Sequence, residues 1–583
     1  MSEPQVHYEL YARRGANARW TLELASEDRT RAIEAAEELL AEARAVAVRV
    51  SKETLDPETR EFKSVTVFTK GAVEAAQPKN TVEQDATPLC VAPSDLYTVH
   101  ARERIGRLLD GWLTRKQVTP FELLHRPDLV EQLDASGVEI QHALQKVAIP
   151  EAQTRGVSVH EMIRTFQKLV HRTVERVLQD GRKGVFPDVA GPAFAAAATQ
   201  LAEDPDRHYL LGGGVAAHLA GARGWCEKIG LLLELAGRAP AEPRPRALAF
   251  QVLEQPLAEM LGSRAGLADL LGAELDLGGN LAALTRLAAG REVAALAAFD
   301  PGIEKHVPRL AGPAARLAEW LEKDGFSSVR AAMARRILAE LKGPRRLRPS
   351  DAEGEIAILR ALAMVLTASA GKLLNQDDVQ AAFVERCKGL VTSDFVEAYL
   401  TGRESALAEA QALVRLAENM VGTANKRAAA RWISASVGAL RFEKDLRNGP
   451  DTPAAKLAVL AELQKALTAA GLAEVDEAAA AAKIGEIGGL IEADAKLTSA
   501  LARAEVPAMQ RLSLLLRLAC GETAPLGPAA ERARAEALKL LKTPDTRRQL
   551  AGDPANLERV RGLMQGARMS LQPAGPPIVR PAA

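Results

Sequence analysis

The apolar residues of this chain change period once, near residue 72, and that change dictates two kinds of structure in one molecule. Before it, Val6, Tyr8 and Leu10 alternate with His7, Glu9 and Tyr11, the period of two that a half-buried strand requires. After a break at Gly15, Trp20, Leu22 and Leu24 alternate with Arg19, Thr21 and Glu23. The pair reads as a hairpin with Trp20, Leu22 and Leu24 on one face. Ser26 and Asp28 are candidate caps for a helix from Ala32 to Ala43, whose Ile33, Ala36, Leu39 and Leu40 share one side. Val46, Val48 and Val50 mark a third strand, Asp56-Pro57-Glu58 a turn, and Phe62 to Thr69 a fourth strand. The order β-β-α-β-β predicts a small α+β domain over 1–72, close to the minimum size that folds alone.

Past this domain the period of two disappears. Residues 73–93 carry no periodicity and read as a linker. From Ser94 onward the pattern is helical. Between Val157 and Gly181, Ser158 and Glu161 have the spacing of a capping box, and Met162, Ile163, Phe166, Leu169, Val170, Val174 and Val177 trace one stripe. Gly181 is the expected stop. Later, a helix from Ser405 to Val421 is followed by Gly422-Thr423, a second helix to Arg447, and a third opened by Thr452-Pro453 and closed by Gly471. Connections this short make consecutive helices antiparallel neighbours. The fold class is therefore mainly α: a long multi-helix body, as an irregular bundle or a loose α-solenoid, behind the small α+β domain. No fixed-period repeat is present.

A chain of 583 residues exceeds what one hydrophobic core supports. The stretches Gly237 to Arg246 and Gly343 to Ser350, where Ser350 and Glu353 again have capping-box spacing, suggest subdomains over 94–240, 241–345 and 350–572. A proline-rich tail over 573–583 is expected to be disordered. Ala, Leu, Arg and Glu dominate and aromatics make up 4%. These are strong helix formers, and alanine buries little area, so stability rests on many helices in series. The Ala and Arg bias is of a bacterial style.

Charge and cysteine usage exclude several classes. Lys+Arg and Asp+Glu both number 75, without the basic surplus of a nucleic-acid coat. Cys90, Cys226, Cys387 and Cys520 form no CxxC pair, which argues against a zinc ribbon or a disulfide scaffold and fits a reducing compartment. The first ten residues lack the apolar core of a secretory signal. The longest apolar runs are interrupted, by three glycines and His218 within Tyr209 to Ala222 and by Arg360 after Ile356. No membrane span and a cytoplasmic location are expected.

Few residues invite chemistry. His171 and Glu175 share a helix face, but so do Arg164 and Lys168, and His160 lies about 16 Å away at 1.5 Å per residue. A solvated face is expected rather than a metal site. Gly212-Gly213-Gly214 and Gly371-Lys372 lack the spacing of phosphate-binding loops and read as close packing or helix breaks. Gln376-Asp377-Asp378 lacks the calcium-loop spacing and reads as a helix start. On one helix, Cys226 and His218 would lie about 12 Å apart, too far for direct proton transfer, and a buried structural thiol is expected. Arg335, Arg336, Lys342, Arg345, Arg346 and Arg348 form the densest basic cluster, a candidate anion-binding surface. No aromatic residue interleaves with it, and Asp351, Glu353 and Glu355 follow at once.

On the first strand, His7 and Tyr11 fall on the alternate face, which either receives a partner or rests on the helical body, and they are candidate partner-binding residues. No catalytic, cofactor or metal residue is predicted. These features fit a non-catalytic cytoplasmic interaction or scaffold protein, with the small domain as recognition head and the helical body as a surface for protein partners; nucleic acid is not favoured. The alternatives are a ligand-sensing regulatory protein and a helical enzyme whose site is assembled from distant residues.

Overall fold

The computed structural model describes residues 6–14, 20–42, 44–55, 62–71, 89–323 and 325–567. The chain divides into two compact units, Met1–Leu89 and Cys90–Ala583. The expected linker as far as residue 88, the Asp56-Pro57-Glu58 turn, the break at Gly15 and the tail over 573–583 lie outside the described residues.

The first unit has the expected element order: β1 (Val6–Arg13), β2 (Thr21–Ser26), α1 (Arg29–Ala41), β3 (Ala47–Leu55) and β4 (Phe62–Gly71). The strands form one sheet in the order β2-β1-β3-β4, antiparallel throughout. Asp28 opens α1 by accepting the Thr30 amide at 2.8 Å, which satisfies one of the donors that a helix start leaves free. Leu10, Ala12, Val48 and Val50 of the sheet close over Ala32 and Ala36 of α1, with Tyr8, Leu24, Ile33, Leu39, Leu40 and Phe68 packed around them.

The single face expected for Trp20, Leu22 and Leu24 is not found. Leu24 pairs with Leu10, but Leu22 pairs with Tyr11, so Glu23 is an extra residue between them. One extra residue is a β-bulge, and it turns the remainder of the strand over. Leu24 stays in the core while Leu22 is 52% exposed on the other face. Val46 also departs from its expected alternation, since β3 begins after it and it is exposed. At the end of β4, Gly71 has φ +106°, and a Cβ there would lie 2.4 Å from the Val46 carbonyl oxygen. Only glycine permits that closure of the sheet corner.

Among the described residues, the regular structure of the second unit is helical apart from one isolated bridge, Ala370 to Leu374. Its helices stack in a file. Pro243–Gly262 packs on Ser327–Lys342, that helix on Gln376–Leu390, and Gln376–Leu390 on Thr423–Gly438; Glu474–Ala495 and Pro528–Leu541 continue the file. The later members are second arms of helical hairpins whose first arms are Ala406–Glu418, Pro453–Ala469 and Ala508–Ala519. The main apolar core is continuous from Phe121 to Ala567 and includes residues on both sides of 240 and 345. A smaller core of Leu109, Trp112, Leu113, Leu129 and Val177 lies beside its beginning.

Several local expectations change. The helix expected to stop at Gly181 runs to Lys183, and Gly184 takes the left-handed cap with φ +64°. Gly181 instead lets Pro127 approach, since a Cβ there would lie 2.3 Å from the proline ring. Ser158 stands at the helix start without making a side-chain cap bond. Near Ser350 the capping residue is Asp351, whose carboxylate accepts the Gly354 amide at 2.7 Å. The helix expected to reach Arg447 breaks at Ala439, in extended conformation after Gly438, and resumes as Leu440–Asn448. Thr452 and Gly471 start and end their helix as expected.

Candidate functional site

In the small domain, α1 covers one face of the sheet, and the other face is built from the alternate residues of β1 and β3. Register sets Tyr11 opposite Arg49, Glu9 opposite Ser51 and His7 opposite Glu53. Tyr11 donates its hydroxyl to Glu9 Oε2 at 2.5 Å, and His7 Nε2 lies 3.2 Å from Glu9 Oε1. The Tyr11 bond holds the Glu9 carboxyl below its ordinary range, and the same bond raises Tyr11. Tyr11 is thus a donor and not a base.

Beside this row the Arg49 guanidinium stands 5.2 Å from the ring centres of both Tyr11 and Trp20, a cation held between two aromatic faces. Its buried Nε meets no acceptor. On this face Ser51 and Glu53 are buried, His7, Glu9, Tyr11 and Trp20 are half-buried, and Leu22 is exposed. His7 and Tyr11 are therefore joined through Glu9. Sequence reasoning left out Glu9, Arg49 and Trp20 as members of the site. Glu9 and Arg49 carried a signal, their parity on the strands, whereas the bulge hid the parity of Trp20.

The basic cluster of the helical unit is largely committed to neighbours. Arg335 pairs with Glu103 at 3.0 Å, Arg345 with Glu340 at 3.7 Å, and Arg348 with Asp276 at 3.0 Å. Arg336 donates to the Gly262 carbonyl and stands 3.8 Å from Glu340. Arg346 lies over the Phe395 ring at 5.1 Å. Lys342 is exposed at the helix end. An incoming anion would compete with three carboxylates for these cations.

The weak motifs resolve into packing and pairing. His171 and Glu175 form an exposed contact at 3.4 Å. Gly212, Gly213 and Gly214 lie inside the Arg207–Leu219 helix, where they admit His125, Phe186 and the Pro187 carbonyl. Lys372 is held by Glu292 and Glu322 at 3.2 and 2.9 Å. Gln376-Asp377-Asp378 does open a helix, capped by Asn375. Burial pushes the Cys226 thiol up to about 11, the reverse of what a nucleophile needs.

A denser polar cluster surrounds the short Pro120–Leu123 helix. Glu122 is fully buried, accepts the Thr119 amide at 3.0 Å and pairs with Lys228 at 2.7 Å. Lys228 also donates to the Gln117 carbonyl at 2.6 Å, and burial lowers its ammonium below the ordinary lysine range. Glu259 accepts the Phe121 amide at 2.8 Å and pairs with Arg102 at 2.6 Å. His125 bonds through Nδ1 to the Phe121 carbonyl at 2.7 Å and is ringed by Phe121, Tyr97 and Tyr209. Its Nε2 has no partner, and burial pulls its pKa down to about 4. The imidazole is neutral and sealed against Gly212, so this cluster fixes a connection rather than meeting a substrate.

Farther along, an open groove of about 530 Å³ is lined by Leu296, Leu359, Met364, Phe383, Met420 and Val421, with Arg360 and Glu418 also on its wall. Among the described residues, no group of three or more His, Cys, Asp or Glu side chains is placed to hold a metal ion, and no helix is long and apolar enough to cross a membrane.

No known family, curated protein or solved structure matches this chain. The sheet face and the groove are therefore interpreted from their own chemistry.

Proposed function

We propose that this chain is a non-catalytic interaction protein whose small domain is a recognition head and whose helical file presents surfaces to protein partners. The observation that carries the reading is the sheet face opposite α1, with the row His7, Glu9 and Tyr11, the aromatic-flanked Arg49, and the exposed Leu22. Such a face offers an ionised carboxylate, a guanidinium and apolar contact within one patch. It fits a peptide segment that brings a cation to Glu9 and an apolar side chain to Trp20 and Leu22. Aromatic residues and arginine are also the residue types that dominate binding energy in protein interfaces. A cytoplasmic setting agrees with four cysteines that are all free thiols.

The test is quantitative co-purification from native lysate with the full chain and with a Tyr11→Ala, Trp20→Ala double variant. A thermal melt of each confirms that the fold is kept. A stoichiometric protein partner retained by the parent chain and lost from the variant is the expected result. Identical captured proteins with both chains would remove the small domain from the role of recognition head.

A further inference from the structure

Phe299 is 88% exposed at the end of the Gly290–Phe299 helix. Every other phenylalanine described in the helical unit is buried or half-buried. Ala294, Ala295 and Ala298 are exposed on the same helix, so its outer surface carries no charge over its last turn and a half. One turn before Phe299, Leu296 forms part of the groove wall together with Leu359, Met364, Phe383 and Met420. An aromatic knob therefore stands beside an apolar hole on a single patch, since residues three apart on a helix are neighbours. The hole has the volume range of sites that enclose apolar groups. At the same place Arg360 and Glu418 face each other at 3.9 Å, with side chains 63% and 49% exposed.

We infer that this patch pairs two copies of the chain about a two-fold axis, each Phe299 entering the groove of the other. A two-fold interface joins the same patch on both copies, so residue i meets j and j meets i. This patch meets that condition twice over: it carries both the knob and the hole, and both members of a charge pair. Across the axis, Arg360 of each copy meets Glu418 of the other. The pair sums to zero charge and the whole chain is formally neutral, so no like-charge repulsion opposes association. This inference is independent of the sheet face proposed above as the recognition head.

Sedimentation velocity on the full chain, from about 1 to 100 µM, tests it. The parent chain shifts with concentration from one copy of 62.3 kDa to a closed pair. Phe299→Glu weakens pairing by at least about tenfold. Arg360→Glu alone sets Glu against Glu across the axis, and Glu418→Arg alone sets Arg against Arg, so each variant by itself stays a single copy. Mixed in equal amounts, the two variants pair again, because each supplies the charge that the other lacks. A parent chain that stays single throughout overturns the inference, as does pairing that Phe299→Glu leaves intact. Mass that grows past two copies overturns it too, because it signals an open head-to-tail contact. All three substituted forms alter exposed side chains, and their melting curves check that the fold is unchanged.

Discussion

Among the helices notched by glycine, two have their notches filled by different means. In Arg207–Leu219, Gly212, Gly213 and Gly214 receive an imidazole, a phenylalanine ring and a proline carbonyl. In Glu474–Ala495, Gly485, Gly488 and Gly489 receive the turn Pro525-Leu526-Gly527-Pro528, largely as backbone and proline rings. Around the first notch the polar needs of the connection are met by ionised groups, Glu122 with Lys228 and Glu259 with Arg102. Around the second, a neutral amide holds the incoming turn: Gln464 accepts the Leu526 amide at 2.6 Å and donates to its carbonyl at 3.1 Å, while Arg532 donates to the Gly489 carbonyl and pairs with the buried Glu492. Close approach through glycine is common to both, but at the first the buried ion pairs anchor the connection that enters the notch, whereas at the second the entering turn itself is held by the neutral Gln464.

The comparison breaks most visibly if a charge is removed. Lys228→Ala leaves Glu122 buried with only Arg126, at 3.5 Å, near it, and is expected to cost about 3–5 kcal/mol in urea unfolding. Gln464→Ala at the other notch should cost about 1 kcal/mol, because Leu526 is 48% exposed and water can replace the amide. Equal losses at the two sites would erase the distinction.

A pH series sharpens it next. His125 has a folded pKa of about 4, below its unfolded value. Above pH 6.5 neither state binds the proton, so stability there is independent of this residue. As pH falls from about 6.5 to about 4 the unfolded chain takes up the proton first, and stability drops by roughly 3 kcal/mol, with no further change below. His125→Phe removes that slope, and the measurement is unfolding free energy across the window for both chains. Parallel profiles would mean that His125 is not held neutral by its burial.

A more modest effect than the loss of Lys228 concerns the notches themselves. Gly213→Ala places a methyl 2.0 Å from the Phe186 ring, and Gly485→Ala places one 2.4 Å from the Leu526 carbonyl oxygen. Each should cost about 1–3 kcal/mol through overpacking. Phe186 is a half-buried side chain and can be trimmed, so Phe186→Leu should restore much of the Gly213→Ala loss. Nothing equivalent exists for Gly485, where the obstacle is main chain.

The contrast also separates what could be read along the chain from what could not. Period and local punctuation decide elements, so β-β-α-β-β, the helical body, the Asp28 and Thr452 caps and the Gly471 stop were legible. Features that look local but depend on a neighbour were misread. Gly181 yields to Pro127, and the Glu23 bulge turns over a strand whose alternation looked regular. The shared face of His7 and Tyr11 followed from parity, and the packing role of the triple glycine from its lack of phosphate-loop spacing. Glu122 with Lys228 and Arg335 with Glu103 were beyond reach, because 106 and 232 residues separate the partners. The groove is likewise assembled from several helices, none of which carries a motif.

The file of helices has a mechanical corollary. Elements held mainly by the next member of a row act under tension like links in series, and a pull on the row loads every junction equally. The weakest junction yields first, releases slack, and spares the others. The hairpins between Ala406 and Leu541 would therefore lengthen in steps rather than rupture together, and a partner seated on one hairpin would set the force at which that step occurs.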